Sequence, residues 1–165
     1  MAKLRKIAPC LWFDTQAEEA ARFYAGIFRG SKILRISHYG KEGHEIHGRP
    51  AGSVLAVSFE LEGQKFTAMN GGPQFKFSEA ISLQVNCETQ KEIDELWEKL
   101  CEGGDPKAQA CGWLKDRYGL SWQIVPAFMD ELFGEPTSPK TERLMRALLE
   151  MKKLDIAALR RAYEG

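Results

Sequence analysis

CGWLKDRYGLSWQIVP, residues 111–126, holds two short β-prone runs on either side of Asp116-Arg-Tyr-Gly119. An aspartate opens such a turn by accepting from nearby backbone N–H groups, and a glycine closes it by tolerating positive φ, so the stretch predicts a hairpin. Beyond the turn, Trp122, Ile124 and Pro126 alternate with Ser121, Gln123 and Val125. Gln123 is therefore a polar side chain on a strand, facing opposite to Trp122, and it is expected to lie close to whatever the protein binds.

Upstream of this hairpin the order of elements repeats. Residues 7–13 read as a short apolar strand, with Pro9 suited to its start or edge because proline has no N–H for a ladder. Thr15-Gln-Ala-Glu18 has the form of a capping box. Ala17, Ala20, Ala21, Tyr24 and Phe28 then recur at helical spacing as far as Gly30, which predicts a helix with one apolar face over 16–29. Strands are expected at 31–39, with Ile33 inward and Leu34 and Ile36 candidates beside it, at 53–61, and at 64–70 across a Glu62-Gly63 turn. The polar, Gly- and His-rich segment 41–52 predicts a loop.

Residues 80–87 begin the order again as a strand. Thr89-Gln-Lys-Glu92 repeats the capping-box pattern, and Ile93, Leu96, Trp97 and Leu100 predict a second amphipathic helix ended by Gly103-Gly104. Residues 106–110 and the hairpin are expected to supply the remaining strands. The unit strand–helix–strand–strand–strand is thus traversed twice, with a period of roughly 75 residues. The fold class is α+β: two modules, 1–76 and 77–126, sharing one domain over 1–126, plus a C-terminal helical extension over 127–165. In that extension 130–134 reads as a short turn or helix, 135–139 as a linker, and 140–152 and 155–163 as helices. Leu144, Leu148, Met151 and Leu159 would face the body or a second subunit.

Composition narrows the function classes. The chain has 165 residues and 44% apolar content, enough to bury a core, and its 23 basic residues balance 23 acidic ones. Nothing in that balance gathers nucleic acid or an anionic membrane. No apolar run approaches the roughly 20 residues of a membrane span, and the basic start runs directly into a strand, so a cytoplasmic protein is expected. Cys10, Cys87, Cys101 and Cys111 form no Cys-x-x-Cys pair and are expected as reduced structural thiols.

Pro9-Cys-Leu-Trp-Phe-Asp14, followed by Ala17-Glu-Glu-Ala20 and Phe23-Tyr24, resembles the first module of the PhnB-like branch of the vicinal-oxygen-chelate (glyoxalase/bleomycin resistance) superfamily. Ser82-Leu-Gln-Val-Asn-Cys87, Trp97, Gly112-Trp113, Asp116-x-Tyr-Gly119 and Trp122-Gln-Ile-Val-Pro126 resemble its second module, and Lys153-Leu-Asp-Ile-Ala-Ala-Leu159 a tail of the same branch. The resemblance implies glyoxalase-like paired βαβββ modules forming cupped mixed sheets, and a homodimer. The branch often carries a ubiquinone-biosynthesis methyltransferase label. No Gly-rich strand-to-helix turn with an acidic partner supports a methyl-donor nucleotide in this sequence.

Metalloenzymes of the superfamily place His and Glu side chains in the cup, where they hold a divalent ion with open positions for substrate oxygens. The resemblance puts those positions on Ala8, on Met69 or Asn70, on Ser82 and on Gln123. None is a strong ligand, so no metal and no cofactor are expected. His44-Glu-Ile-His47 has its histidines three apart in a Gly-rich context, unlike the i, i+4 pair of a zinc protease helix. Alternation instead places Cys10, Trp12, Ser82, Gln84, Asn86, Gln123 and also Asn70 on the cup side, as neutral hydrogen-bonding groups with Trp12 or Trp113 as an aromatic wall. A small polar molecule is the expected partner. Two alternatives stand beside it: an isomerase, lyase or resistance-type transferase with His38 and His47 as a proton shuttle, and a dimeric interaction module with an incidental cup.

Overall fold

Two periodicities, 2.0 and 3.6, account for nearly every element of the N-terminal half. The computed structural model describes residues 6–134 and 136–165, and the chain divides into two compact units, Met1–Lys76 and Phe77–Gly165. The first unit runs β1 (Cys10–Phe13), α1 (Ala17–Ile27), β2 (Lys32–His38), α2 (His44–His47), β3 (Val54–Leu61) and β4 (Gln64–Asn70). Its sheet has the order β1-β4-β3-β2, with β1 parallel to β4 and the other pairs antiparallel.

The predicted apolar face of α1 is the one buried: Ala17, Ala20, Ala21, Tyr24 and Phe28 are all in the core. Tyr24 stacks on Phe59 of β3 at 6.4 Å, and Phe59 on Phe66 of β4 at 5.4 Å. Each such large side chain contributes about 1.5–3 kcal/mol of burial. Glu62 and Gly63 both take positive φ (45° and 81°), the mirror-image turn whose twist suits a tight β3–β4 hairpin. In β2 the register slips between Ile33 and Arg35. This bulge lets Ile33 and Ile36, three apart, both stay in line with the apolar residues Phe59 and Val57, and it leaves Leu34 exposed.

The capping box expected at Thr15 does not form. Gln16 is the N-cap and gives no side-chain bond; the Ala17 N–H instead donates to Asn70 Oδ1 at 2.8 Å, 53 residues away. Asn70 Nδ2 donates to the Val54 carbonyl at 3.1 Å, and the Asn70 carbonyl accepts from Tyr39 Oη at 2.6 Å. Asn70 thus ties the helix start to the sheet. Asn70→Ala is expected to lower the unfolding free energy by about 2 kcal/mol, from one lost cap and one part-buried carbonyl that loses its donor. A urea midpoint unchanged from the parent would show that water or a neighbour replaces the amide.

The expected loop 41–52 contains one helical turn, α2, bracketed by Gly43 and Gly48 in the left-handed region at φ 78° and 65°. Polarity alone predicts a loop here; the two glycines let the backbone close a turn that the side chains do not encode.

The second unit runs β5 (Ser82–Cys87), α3 (Gln90–Cys101), a 3-10 turn at Pro106–Ala108, β6 (Trp113–Lys115), β7 (Ser121–Pro126), α4 (Met129–Phe133), α5 (Pro139–Leu149) and α6 (Ile156–Glu164). Here the Thr89–Glu92 capping box forms as expected, with both reciprocal bonds present. The sheet order is β5-β7-β6, with β5 parallel to β7 and β6 antiparallel to it.

The strand expected from 106–110 is not a strand. Pro106 opens a 3-10 turn whose Lys107 N–H donates to Asp105 Oδ1, and only Ala110 reaches the sheet, as a single bridge to Trp113. The N–H groups that could extend a ladder go elsewhere: Cys111 donates to the Met151 carbonyl and Gly112 to the Lys152 carbonyl, both at 2.7 Å.

Those bonds seat the C-terminal helices against the sheet. Met129, Leu144, Leu148, Leu154 and Leu159 form a buried cluster, with Met151 packed beside it. Gln90 of α3 clamps the chain before α6, donating to the Leu154 carbonyl and accepting from the Ile156 N–H. The expected linker 135–139 yields in part to α5, which starts at Pro139 behind a Ser138 cap; Glu135 lies outside the described residues. Among the described residues no helix is long and apolar enough to cross a membrane.

Candidate functional site

Strand register decides which side chains share a face. In the second unit Leu83, Trp122, Val85 and Ile124 are partners across β5 and β7, and Trp122 and Ile124 are buried. The alternate residues therefore share the opposite face: Ser82, Gln84 and Asn86 from β5, Ser121 and Gln123 from β7, Trp113 and Lys115 from β6. In register across the sheet, Gln84 stands beside Gln123, and Gln123 beside Trp113. Five residues expected as a site thus do come together.

The polar groups of this face pair with one another. Gln123 Nε2 donates to Ser82 Oγ at 2.9 Å, and Gln84 Nε2 donates to Asn86 Oδ1 at 2.9 Å. Each pair leaves capacity over, since Gln123 and Gln84 each keep Oε1 and a second Nε2–H, Ser82 its hydroxyl hydrogen and Asn86 its Nδ2 donors. Ser121, in register with Ser82, adds a buried hydroxyl without a partner among the described residues. At the edge of the face Lys115 forms an ion pair with Glu79, and the Lys115 ammonium holds the Glu79 carboxyl below its usual range. That charge is balanced, so the face as a whole is neutral.

The first unit brings its expected residues together less completely. Cys10 and Trp12 share a face with Thr67 and Met69, whereas Asn70 is in register with Phe13 and points the other way. Asn70 therefore does not lie on the cup side with Cys10 and Trp12, and its amide is engaged by Ala17 and Val54. Trp12 Nε1 donates to the Gly72 carbonyl at 2.8 Å, and the ring lies where any Cβ on Gly71 would fall. Its edge meets Phe75 at 4.9 Å. Burial pushes the Cys10 thiol up, which keeps it protonated at neutral pH and disfavours nucleophilic use.

His47 is a pin of this unit's structure. Its Nδ1 accepts from the Arg49 N–H at 2.9 Å, so Nε2 carries the proton and faces the Glu42 carbonyl at 3.2 Å, while the ring tilts over Tyr39 at 4.4 Å. Sequence reasoning overlooked a cavity of about 310 Å³ near it, walled by Thr15, Glu18, Arg49, Ser53 and Asn70. Its charges are internally met: Arg49 Nη2 donates to the Asp14 carbonyl and Oδ1, both at 2.9 Å, and Glu18 pairs with Arg22 at 2.8 Å. No local signal announces this, because Asp14 and Arg49 are 35 residues apart.

The positions that the resemblance implies for metal ligands, Ala8, Met69 or Asn70, Ser82 and Gln123, carry an alanine, a thioether or an amide, a hydroxyl and a primary amide. Two of these are bonded to each other. Among the described residues no group of three His, Cys, Asp or Glu side chains converges. Neutral, weak donors of this kind do not fit a tightly held divalent ion.

A βαβββ unit followed by a second strand–helix–hairpin unit defines the glyoxalase-like, vicinal-oxygen-chelate class of α+β proteins, and solved structures agree. A PhnB protein from Bacillus cereus is 37% identical over 73% of this chain and 99% of its own, with a TM-score of 0.62. Protein PA1353 from Pseudomonas aeruginosa shares the fold at 20% identity, 74% and 98% coverage and a TM-score of 0.57. The fosfomycin resistance protein FosX from Listeria monocytogenes does so at 15%, 82% and 100%, and 0.51. The family profile 3-demethylubiquinone-9 3-methyltransferase matches residues 5–125. The chain belongs to this PhnB-like family. No curated protein matches it.

Proposed function

We propose that this protein binds a small, uncharged polar molecule on the Ser82–Gln123–Trp113 face, without a resident divalent ion. The observation that carries the reading is the Gln123–Ser82 hydrogen bond: two positions that hold metal ligands elsewhere in the class form a neutral donor–acceptor pair with capacity to spare. Gln84 and Asn86 extend the same chemistry along the face, and Trp113 supplies an apolar wall.

Methyl transfer, the activity in the family's description, finds no support at the helix starts. The N–H of Ala17 is taken by Asn70, and those of Glu88, Thr89 and Glu92 by the α3 capping box, so part of each helix start is already bonded within the chain. A proton shuttle through His47 is likewise unsupported, because both of its ring nitrogens face backbone groups.

Elemental analysis of protein purified without chelator, followed by titration with Zn²⁺, Mn²⁺ and Ni²⁺, tests the metal-free reading. Well under one equivalent of metal is expected, with a melting temperature indifferent to EDTA. One equivalent of tightly held ion, lost in Gln123→Ala, would overturn it.

A further inference from the structure

We propose that the cavity of about 310 Å³ in the first unit is a second ligand site, and that it takes a small zwitterion, an α-amino acid with a short aliphatic side chain, its carboxylate on Arg49 and its ammonium on Glu18. The site is separate from the Ser82–Gln123 face and does not rest on the reading of that face.

Arg49 and Glu18 line the same cavity, yet each is paired with a different neighbour. Arg49 Nη2 spends its two hydrogens on Asp14, one on the carbonyl and one on Oδ1, both at 2.9 Å. Its Nε–H and two Nη1–H groups are left over. The Arg49 side chain is only 19% exposed, so those cationic donors are largely withdrawn from bulk water and call for an acceptor. The cavity is the open space beside them. Glu18 Oε1 is taken by Arg22 at 2.8 Å, which leaves Oε2 over.

The outer partners, Asp14 and Arg22, thus keep the two poles from closing on each other. Around the cavity the four charges cancel, so a ligand with no net charge is the electrostatic match. The poles themselves are charged, and bonds to charged groups are about twice as strong when the other partner is charged too. A lone carboxylate meets Arg49 but faces Glu18; a lone amine meets Glu18 but faces Arg49; an uncharged molecule meets each with a weaker bond. Only a zwitterion serves both at full strength. Pro50 and Val54 supply an apolar part of the wall for a short side chain. The volume lies at the small end of ligand pockets, which suits a single amino acid rather than a peptide.

The test uses the full ¹⁵N-labelled chain, followed by NMR through the Arg49 Nε–H and the Glu18 backbone amide, and four probes of similar shape. L-valine carries both charges, 3-methylbutanoate lacks the ammonium, 2-methylpropylamine lacks the carboxylate, and 3-methylbutanamide is uncharged. Saturable shifts of both signals are expected with valine, at an affinity about tenfold above that of each other probe. In Glu18→Gln, a substitution of a half-exposed side chain, valine should fall to the level of 3-methylbutanoate, which itself should bind no more weakly than to the parent. Equal binding of the four probes to the parent overturns the proposal whether or not the variant folds. An unchanged preference for valine in folded Glu18→Gln does so too. No shift with any probe means that the cavity holds water only, and the site is withdrawn. Valine shifts at Gln123 but not at Arg49 would remove this site and leave the small-molecule reading of the other face standing.

Discussion

Asp116→Ala is expected to lower the unfolding free energy of the protein by about 3–5 kcal/mol, the largest loss from any single polar side chain of the second unit. Asp116 is 2% exposed and its carboxylate accepts from at least three donors. Oδ1 accepts from the backbone N–H of Tyr118 at 2.9 Å and of Leu120 at 3.1 Å, and Oδ2 accepts from the Trp122 indole at 2.9 Å. The first two bonds close the turn, and the third pins the largest buried side chain of β7 to it. Alanine would leave the buried Leu120 and Trp122 donors without the carboxylate, at about 1–3 kcal/mol each before relaxation, and the part-buried Tyr118 N–H at less. Asp116→Asn discriminates the two roles. It can keep the turn through its carbonyl but presents an NH₂ to the indole N–H, so roughly half the loss is expected. Urea unfolding followed by tryptophan fluorescence measures both variants. A loss below about 1 kcal/mol in Asp116→Ala would mean that the turn holds itself together without the carboxylate.

Leu154→Ala should lower stability by about 2–5 kcal/mol, through the C-terminal helices. Leu154 is fully buried in the cluster with Met129, Leu144, Leu148 and Leu159. Its side chain packs against Gly112, where an added Cβ would come within 3.0 Å of Leu154 Cδ1, and its carbonyl accepts from Gln90. Neighbours held by backbone bonds at Cys111 and Gly112 cannot collapse into the space that alanine leaves. Leu149, 64% exposed, supplies the control: the same substitution there should change stability by no more than about 0.5 kcal/mol. Urea midpoints and the rate of proteolysis between α4 and α6 measure the contrast. Equal effects of Leu149→Ala and Leu154→Ala would show that the helices do not depend on this cluster.

Much of this architecture was legible because its signals are local. The apolar stripe Ala17, Ala20, Ala21, Tyr24 and Phe28 is a consequence of 3.6-residue periodicity, and all five are buried. The Thr89–Glu92 box closes within four residues, and it formed. Gln123 opposite Trp122 follows from alternation alone, as does its placement on the face of Ser82 and Trp113 once the strands pair. Several of the readings that failed turned on a partner far along the chain. Asn70 looked like a cup residue because alternation has no absolute phase until a register is set, and its pairing with Phe13 turned it toward α1. Thr15 looked like a cap because nothing in TQAE tells that an amide 53 residues away caps the helix start at the Ala17 N–H. The strand expected at 106–110 gave way to a 3-10 turn opened by Pro106, and the N–H groups that follow it bond to Met151 and Lys152.

The sequence by itself determined most element types, the apolar stripe of the main helices and which side chains of a strand travel together, since these depend on periods and turn residues within a few positions. Only the tertiary structure decided which of two faces a strand presents, which N–H is capped by which distant carbonyl or amide, and that Gln123 meets Ser82. Those outcomes depend on register and on competition among donors and acceptors scattered over the chain, and a hydrogen bond goes to whichever partner the packed backbone brings within reach.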